Sequence, residues 1–446
     1  MKCLIIAAGE GKRISKIGRP KPLVNLLGLT LIERVILTAN KSGITDFYVV
    51  TGYQGEKVRK FLDKFSQKRN INITHIINEE WKKGNGLSVL KAKGFLNEKF
   101  ILLMGDHLFD EDILKKMKTA PLGDGEVMLA IDYNINSNHL VDIEDVTKVL
   151  VQDGKVIDIG KDIKEYNAYD TGIFLCSPTI FEAIEKNIHQ TNEGILSASI
   201  KLMGKEGRVK TFDIKNAFWI DVDDEKTLKK AKKCLIDRLK KPTDGPISRY
   251  LNRRFSTKIT PYFLKTNITP NQVSLFSFII SLIASSFFFL GSYFYLAIGG
   301  ILAQISSIID GCDGEVARLK YMESNFGGWF DAVLDRYGDA FLLAGLTWHV
   351  YCLNTHFLPL FVGFLAIVGT FLNSYTADKY DGFMSKRLNK HYLRIGRDIR
   401  IFIIFLGALT NQPFFTLLFI AILMNGENIK RILVLYRLLN YRSGRT

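Results

Sequence analysis

Two different rhythms of apolar and polar residues divide the chain. Up to about residue 232, short β-branched runs alternate with longer segments of helical period. The runs are Cys3–Ala8, Phe47–Thr51, Ile73–Ile77, Phe100–Met104, Val127–Ile131 and Gly172–Cys176. Strands separated by helices predict an α/β domain whose mostly parallel, Rossmann-like sheet carries helices on both faces. Ligands in such folds sit beyond the carboxyl ends of the strands. From Pro246 the rhythm changes. Residues 266–309, 340–377 and 401–426 carry no Asp, Glu, Lys or Arg, and about 20 apolar residues suffice to cross a bilayer. They predict an all-α domain of six transmembrane helices, near 271–291, 293–317, 326–351, 356–379, 398–411 and 413–437. Between the two lies Lys241-Pro-Thr-Asp-Gly-Pro246, whose prolines and glycine break regular structure. The expected domains are 1–232 and 271–446, joined over 233–270 by a linker and an interfacial amphipathic helix at Pro246–Lys265.

Charge refines this picture. The formal net charge is +15, with 60 Lys+Arg against 45 Asp+Glu. The segment from Pro246 onward holds 20 of those bases and 11 of the acids, a net +9 in the more apolar part. Arg249, Arg253, Arg254, Lys258 and Lys265 precede the first expected span, and Lys379 to Arg400 crowd the expected loop before the fifth. Basic loops mark the cytoplasmic side and favour anionic lipid. The excess is therefore assigned to a membrane rather than to nucleic acid. Six spans place the N-terminal domain and the C-terminus in the cytoplasm of a multi-pass plasma-membrane protein. The five cysteines form no CxxC pair, so neither a zinc site nor a disulfide framework is implied. The run Cys3–Ala8 is too short for a signal peptide and leads into a glycine loop.

The chemistry of the apolar half centres on Asp310, Asp313, Asp331 and Asp335. An ionised Asp at membrane depth costs roughly 2.5 kcal/mol or more, so it is expected to face a cavity. Spacings of three, eighteen and four put the carboxylates on one face of two helices. Such an oxygen cluster suits Mg²⁺ or Mn²⁺. The competing reading is a set of inter-helix salt bridges to Arg318, Lys320 or Arg336. The pattern D-x2-D-G-x2-A-R-x8-G-x3-D-x3-D, met at Asp310, Asp313, Gly314, Ala317, Arg318, Gly327, Asp331 and Asp335, resembles the motif of the CDP-alcohol phosphotransferases. That resemblance implies two divalent ions held by Asp310, Asp313 and Asp331 on a CDP diphosphate, with Asp335 sharing a metal or acting as base. It implies that Gly314 lets the backbone approach the nucleotide, that Arg318 faces phosphate, and that the membrane domain forms a homodimer. Arg394, Arg397 and Arg400, three apart, are placed to grip an anionic acceptor, with Asp398 orienting one of them.

In the first half the opening strand delivers Ala7-Ala8-Gly9-Glu10-Gly11-Lys12-Arg13, and Lys21 follows in Arg19-Pro-Lys-Pro-Leu23. A glycine loop between strand and helix offers backbone N–H groups to phosphate. It is neither the dinucleotide GxGxxG nor a Walker A loop. AAGxGxR followed by PKPL resembles the sugar-phosphate nucleotidylyltransferases. The resemblance implies nucleotide contacts at Ala8, Gly9 and Gly11, and catalytic neutralisation of a triphosphate by Arg13 and Lys21. It implies one or more Mg²⁺ ions on Asp106 and Asp221, with Asp223 a rival to Asp221 and His107 a bystander. Gly84, Asn85, Gly86 and Ser88 then read the pyrimidine, Lys161 meets the sugar phosphate, and Asp170 lines the acceptor pocket.

The union of the two halves resembles the bifunctional inositol-1-phosphate cytidylyltransferase / di-myo-inositol phosphate phosphate synthases of heat-loving organisms. It implies CTP, a polyol phosphate and a CDP-alcohol as substrates. The residues themselves indicate only a polar phosphorylated alcohol. Two alternatives stand beside it: a phospholipid synthase with a lipid partner, and a non-catalytic scaffold in the first half.

Overall fold

The computed structural model describes residues 1–14, 19–191, 194–241, 244–388 and 395–443. It separates into two compact units, Met1–Leu235 and Ile236–Thr446.

The strands of the first unit are β1 (Lys2–Ala7), β2 (Asn25–Leu26), β3 (Leu29–Thr30), β4 (Asp46–Thr51), β5 (Asn72–Ile77), β6 (Phe100–Met104) and β7 (His107–Phe109). They continue with β8 (Val127–Asp132), β9 (Lys148–Gln152), β10 (Lys155–Gly160), β11 (Ala168–Cys176), β12 (Val209–Asp213) and β13 (Trp219–Asp221). Nine of them form one sheet in the order β5-β4-β1-β6-β11-β8-β12-β10-β9. The β4, β5 and β6 pairings around β1 are parallel, as is β12 with β8. Strands β10 and β11 run against their neighbours, so the sheet is mixed rather than mostly parallel as expected. The central strands are buried on both faces, which is why they read as continuous apolar runs. Phe100 and Phe181 stack at 5.6 Å between sheet and helix. The first helix, Leu31–Lys41, starts on a capping box in which Thr30 and Glu33 satisfy each other's backbone N–H groups.

The second unit is helical. Its long helices are Pro270–Phe289, Tyr293–Leu319, Asn325–Leu353, Phe357–Leu388, Arg397–Leu409 and Pro413–Ser443. Among the described residues, three are long and apolar enough to cross a membrane: Pro270–Phe289, Tyr293–Leu319 and Phe357–Ala377. The helix from Phe357 continues to Leu388, so Lys379, Lys386 and Arg387 lie on it rather than in a loop. Small residues let the helices cross closely, as apolar surroundings require. Ser281 meets Ser306 at 2.6 Å, Ser285 donates to the Phe341 carbonyl at 2.6 Å, and a Cβ on Gly345 would lie 2.8 Å from Ser285 Oγ.

The helix Arg253–Leu264 is fastened to Tyr293–Leu319 through Glu315, which is fully buried. Glu315 accepts from Arg253 Nη1 at 2.7 Å and from Ser256 and Thr260 hydroxyls at 2.5 Å each. Arg253 also grips both carboxylate oxygens of Asp244, at 2.9 and 3.0 Å. Removing one partner of a buried pair strands the other charge, at about 3–5 kcal/mol. Glu315→Ala is therefore expected to lower the thermal stability of the detergent-solubilised protein sharply. A melting temperature equal to wild type would dismiss this fastening.

Candidate active sites

The site of the first unit forms where β1 and β6 end. Gly11 stands in the left-handed region at φ +60°, and a Cβ there would lie 2.6 Å from Lys21 Cβ. Glycine thus satisfies both the loop's turn and the close approach of Lys21. Gly9 has open space, while Ala8 is buried and its carbonyl accepts from Tyr53 N–H. The strand register of the small β7/β13 ribbon pairs His107 with Asp221, beside Asp106 in the turn after β6.

These residues alternate in charge. Lys21 Nζ lies 2.5 Å from Asp106, 2.5 Å from Asp223 and 3.8 Å from Asp221. Arg13 lies 2.5 Å from Asp145 and 3.2 Å from Asp223. Lys161 reaches the other oxygen of Asp145 at 2.6 Å. His107 Nδ1 is 2.8 Å from Asp106 and 3.5 Å from Asp221. Burial works against the charge on Lys21, but Asp106, Asp221 and Asp223 outweigh it and hold the amine above its ordinary range. Burial likewise opposes the charge on Asp106, yet Lys21 and His107 hold it well below the usual carboxylate range. For Asp221, burial prevails and pushes the carboxyl up to about 7. Burial opposes the charge on His107, but Asp221 and Asp106 push the imidazole up to about 9. Asp170 is raised by burial to about 6 and accepts from Gly172 N–H at 2.7 Å.

Asp106, His107 and Asp221 offer three ligand atoms within 4.8 Å of one another, and Asp221 Oδ1 is buried without a hydrogen bond. An orphaned carboxylate oxygen in such a group fits a hard divalent cation. Asp223 instead faces Lys21 and Arg13. The segment Gly84–Ser88 is pinned from below: Gly86 N–H donates to Gly194 O, Leu196 N–H to Asn85 Oδ1, and Asn78 to the buried Ser88 hydroxyl. The Asn85 and Ser88 side-chain oxygens therefore accept bonds that shape the loop. Asp145 was missed at the sequence level. Its acidic neighbours Asp142 and Glu144 gave it no distinction, and its cations lie far away in the chain.

In the second unit a cavity of about 410 Å³ is lined by Asp310, Asp313, Asp331 and Asp335, with Gly314, Arg318 and Arg397 also on its wall. Asp310, Asp331 and Asp335 bring one oxygen each within 4.8 Å, and Asp331 Oδ1 is buried without a hydrogen bond, so this group also fits a divalent cation. Ser274 donates to Asp313 at 2.5 Å and Ser277 to Asp310 at 3.1 Å, orienting the carboxylates. Gly314 sits one turn before Arg318, and a Cβ added there would lie 3.2 Å from the guanidinium.

Among the described residues, Arg397 is the cation nearest these carboxylates. It lies 2.6 Å from Asp335, 2.9 Å from Asp310 and 3.2 Å from Asp339. Arg400 is buried against Asp339 at 2.5 Å and does not line the cavity, so the acceptor grip expected of it gives way to a supporting ion pair. Asp398 accepts from Ser248 N–H at 2.8 Å, a tie to the chain before the amphipathic helix. Arg394 lies outside the described residues. Of the cations first considered for salt bridges, Arg336 stands 3.8 Å from Asp335, and Lys320 donates to the carbonyls of Thr266 and Ile268.

Residues 3–147 match the MobA-like NTP transferase domain and residues 267–426 the CDP-alcohol phosphatidyltransferase family. Fold and sites thus define an enzyme that joins a nucleotidyltransferase to a CDP-alcohol phosphotransferase. The bifunctional IPC transferase and DIPP synthase of Rubrobacter xylanophilus is 33% identical over 97% of this chain and 96% of its own. The Aquifex aeolicus protein of that description is 33% identical over 97% of each, and that of Archaeoglobus fulgidus 34% over 92% of this chain and 78% of its own. The chain belongs to the family of bifunctional IPC transferases and DIPP synthases. The solved structure of the inositol-1-phosphate CTP transferase from T. maritima is 26% identical, covering 52% of this chain and 93% of that one, with a TM-score of 0.47.

Gly11→Ala is expected to cost about 1–2 kcal/mol through its left-handed φ, and to displace Lys21. A misplacement near 1 Å can cost on the order of 100-fold in rate, so pyrophosphate release should fall by about that factor. Turnover at the wild-type rate would show that the close approach of loop and lysine is dispensable.

Proposed function

We propose that this chain makes a water-soluble phosphodiester in two steps. The first unit transfers a cytidylyl group from CTP to inositol 1-phosphate and releases pyrophosphate. The second unit consumes the CDP-inositol: a hydroxyl of a second inositol 1-phosphate attacks the β-phosphorus, the bond to the bridging oxygen breaks, and CMP leaves. The product is a phosphorylated di-myo-inositol phosphate. The observation that carries this reading is the pairing, in one chain of this family, of two carboxylate groups that each keep a buried, unbonded oxygen.

In the first unit Asp106 and Asp221 would hold Mg²⁺ or Mn²⁺, and Asp223 would serve as counter-charge to Lys21 and Arg13. Those two cations face the triphosphate, and Lys161 faces the phosphate of the acceptor. Ala8, Gly9 and Gly11 line the phosphate loop. Gly84, Asn85, Gly86 and Ser88 shape the base pocket, and Asp170 borders the acceptor. In the second unit Asp310, Asp313 and Asp331 would hold two divalent ions. Bound there, the metals supply charge stabilisation for the attacking and leaving oxygens. Gly314 and Arg318 meet the nucleotide. Arg397 now binds Asp335; if the acceptor's phosphate takes over Arg397, Asp335 is freed to take the hydroxyl proton.

The same reading places six membrane-spanning helices in residues 271–446, the linker and interfacial helix in 233–270, and the soluble domain in 1–232. It puts the N-terminal domain and the C-terminus on the cytoplasmic side of the plasma membrane and makes the membrane domain a homodimer.

The test is purified full-length protein with CTP, Mg²⁺ and inositol 1-phosphate, followed by phosphorus NMR. Wild type should yield CMP and a water-soluble phosphodiester, whereas Asp331→Ala should accumulate the CDP-alcohol. Lys21→Met should slow pyrophosphate release by about 10²–10³-fold, the usual cost of losing one preorganised charge. Unconsumed CTP in wild type would remove inositol 1-phosphate as substrate. A product that partitions into organic solvent would replace this reading with lipid synthesis.

A further inference from the structure

The carboxylate of Asp145 is divided between two cations from distant parts of the chain. Arg13, in the loop after β1, takes Oδ2 at 2.5 Å, and Lys161, just past β10, takes Oδ1 at 2.6 Å. One oxygen per cation is the pattern in which a phosphate group would engage the same two residues. The arrangement is built. Asp145 and Val146 N–H groups return to Asp142 O at 3.2 and 2.9 Å, and Asp170 N–H donates to Thr147 O at 2.9 Å. The segment is fastened again where Lys230 donates to His139 O at 3.0 Å.

Resting on the assignment of Arg13 and Lys161 to substrate phosphates, we propose that Asp145 is an internal stand-in for the acceptor's phosphate and restricts the site to phosphorylated alcohols. Acceptor entry is then an exchange of one anion for another. A carboxylate contributes one negative charge, whereas a phosphate monoester at neutral pH carries between one and a half and two. The phosphate monoester therefore wins the two cations. An uncharged alcohol would have to strip a carboxylate from both cations and offer no charge in return. Discrimination would thus arise from a competing group inside the site as well as from direct contacts. Arg13 also lies 3.2 Å from Asp223, a second contact that would orient it while Asp145 leaves.

The experiment is titration calorimetry of the full-length protein with two probes, inorganic phosphate and inositol 1-phosphate, for wild type and Asp145→Asn. The stand-in role requires the neutral variant to bind both probes more tightly, by about three- to five-fold given the modest strength of half-exposed ion pairs. The acceptor KM in pyrophosphate release should fall in parallel. Asp145→Glu, which keeps the charge, should stay near wild type. Equal or weaker phosphate binding by Asp145→Asn would overturn the proposal and make Asp145 a support for Arg13 and Lys161. Asp145→Ser gives the same comparison if the amide variant does not fold. Phosphate binding is measured without turnover. A wild-type protein that fails to transfer cytidylyl groups would therefore refute the proposed function and leave this comparison standing.

Discussion

Both sites are organised by one electrostatic constraint: several carboxylates gathered where water is scarce repel one another unless cations stand among them. In each unit one basic side chain among the described residues stands between three carboxylates. Lys21 stands among Asp106, Asp221 and Asp223, and Arg397 among Asp310, Asp335 and Asp339. Arg13 and His107 add positive charge in the first group and Arg400 in the second, but each group still leaves one buried carboxylate oxygen without a hydrogen bond, a deficit that fits a dication. The unbonded oxygens of Asp221 and Asp331 mark where that deficit lies. Without the shared cations the carboxylates would repel one another, and the geometry that fits a metal would not form.

The two folds reach this arrangement by different means. In the sheet, β1 and β6 run parallel and end side by side, so the loop bearing Gly11 and the turn bearing Asp106 meet. The β7/β13 ribbon then sets Asp221 opposite His107. In the helical unit the work is done by periodicity. Asp331, Asp335 and Asp339 are spaced by four and climb one face of their helix, while Asp310 and Asp313 face them from the helix before. Serines hold these carboxylates, with Ser274 on Asp313 and Ser277 on Asp310. Glu315, one further acid on the same helix, belongs to packing instead, because Arg253, Ser256 and Thr260 satisfy it completely away from the cavity-lining carboxylates.

How much of this was legible in the chain follows from what a linear pattern encodes. The buried strands announced themselves as apolar runs and appear within one residue of the expected starts, except β11, which begins at Ala168 rather than Gly172. Strands β9, β10 and β12 carry polar residues on one side, so nothing separated Lys148–Gln152 or Val209–Asp213 from loops. Asp310, Asp313, Asp331 and Asp335 were visible because charge in an apolar stretch demands a reason. Asp221 and Asp223 were not separable: two residues apart around the buried Val222, they share a side. Register alone puts Asp221 beside His107 and leaves Asp223 to Lys21 and Arg13. Asp145 and Asp339 were missed for a related cause. Their meaning lies in which cations they meet, and those partners are 132 and 16 positions away for Asp145 and 58 and 61 for Asp339. Arg400 shows the converse error. Three-residue spacing put it on the face of Arg397, but one turn further along that face points at Asp339 rather than into the cavity.

A common logic then links the two halves through the chemistry of their substrates. Bare cations waiting in a cleft would have to shed water before gripping phosphate, and desolvating a charge is costly. Here the cations already sit on carboxylates: Arg13 and Lys161 on Asp145, and Arg397 on Asp335. A phosphorylated substrate needs only to exchange partners with them. In the first unit that exchange would select the charged alcohol. In the second it would release Asp335, the carboxylate proposed as base, as the acceptor's phosphate takes over Arg397. Substrate recognition and the readiness of the base would then be one event, driven by the greater negative charge of a phosphate monoester over a carboxylate.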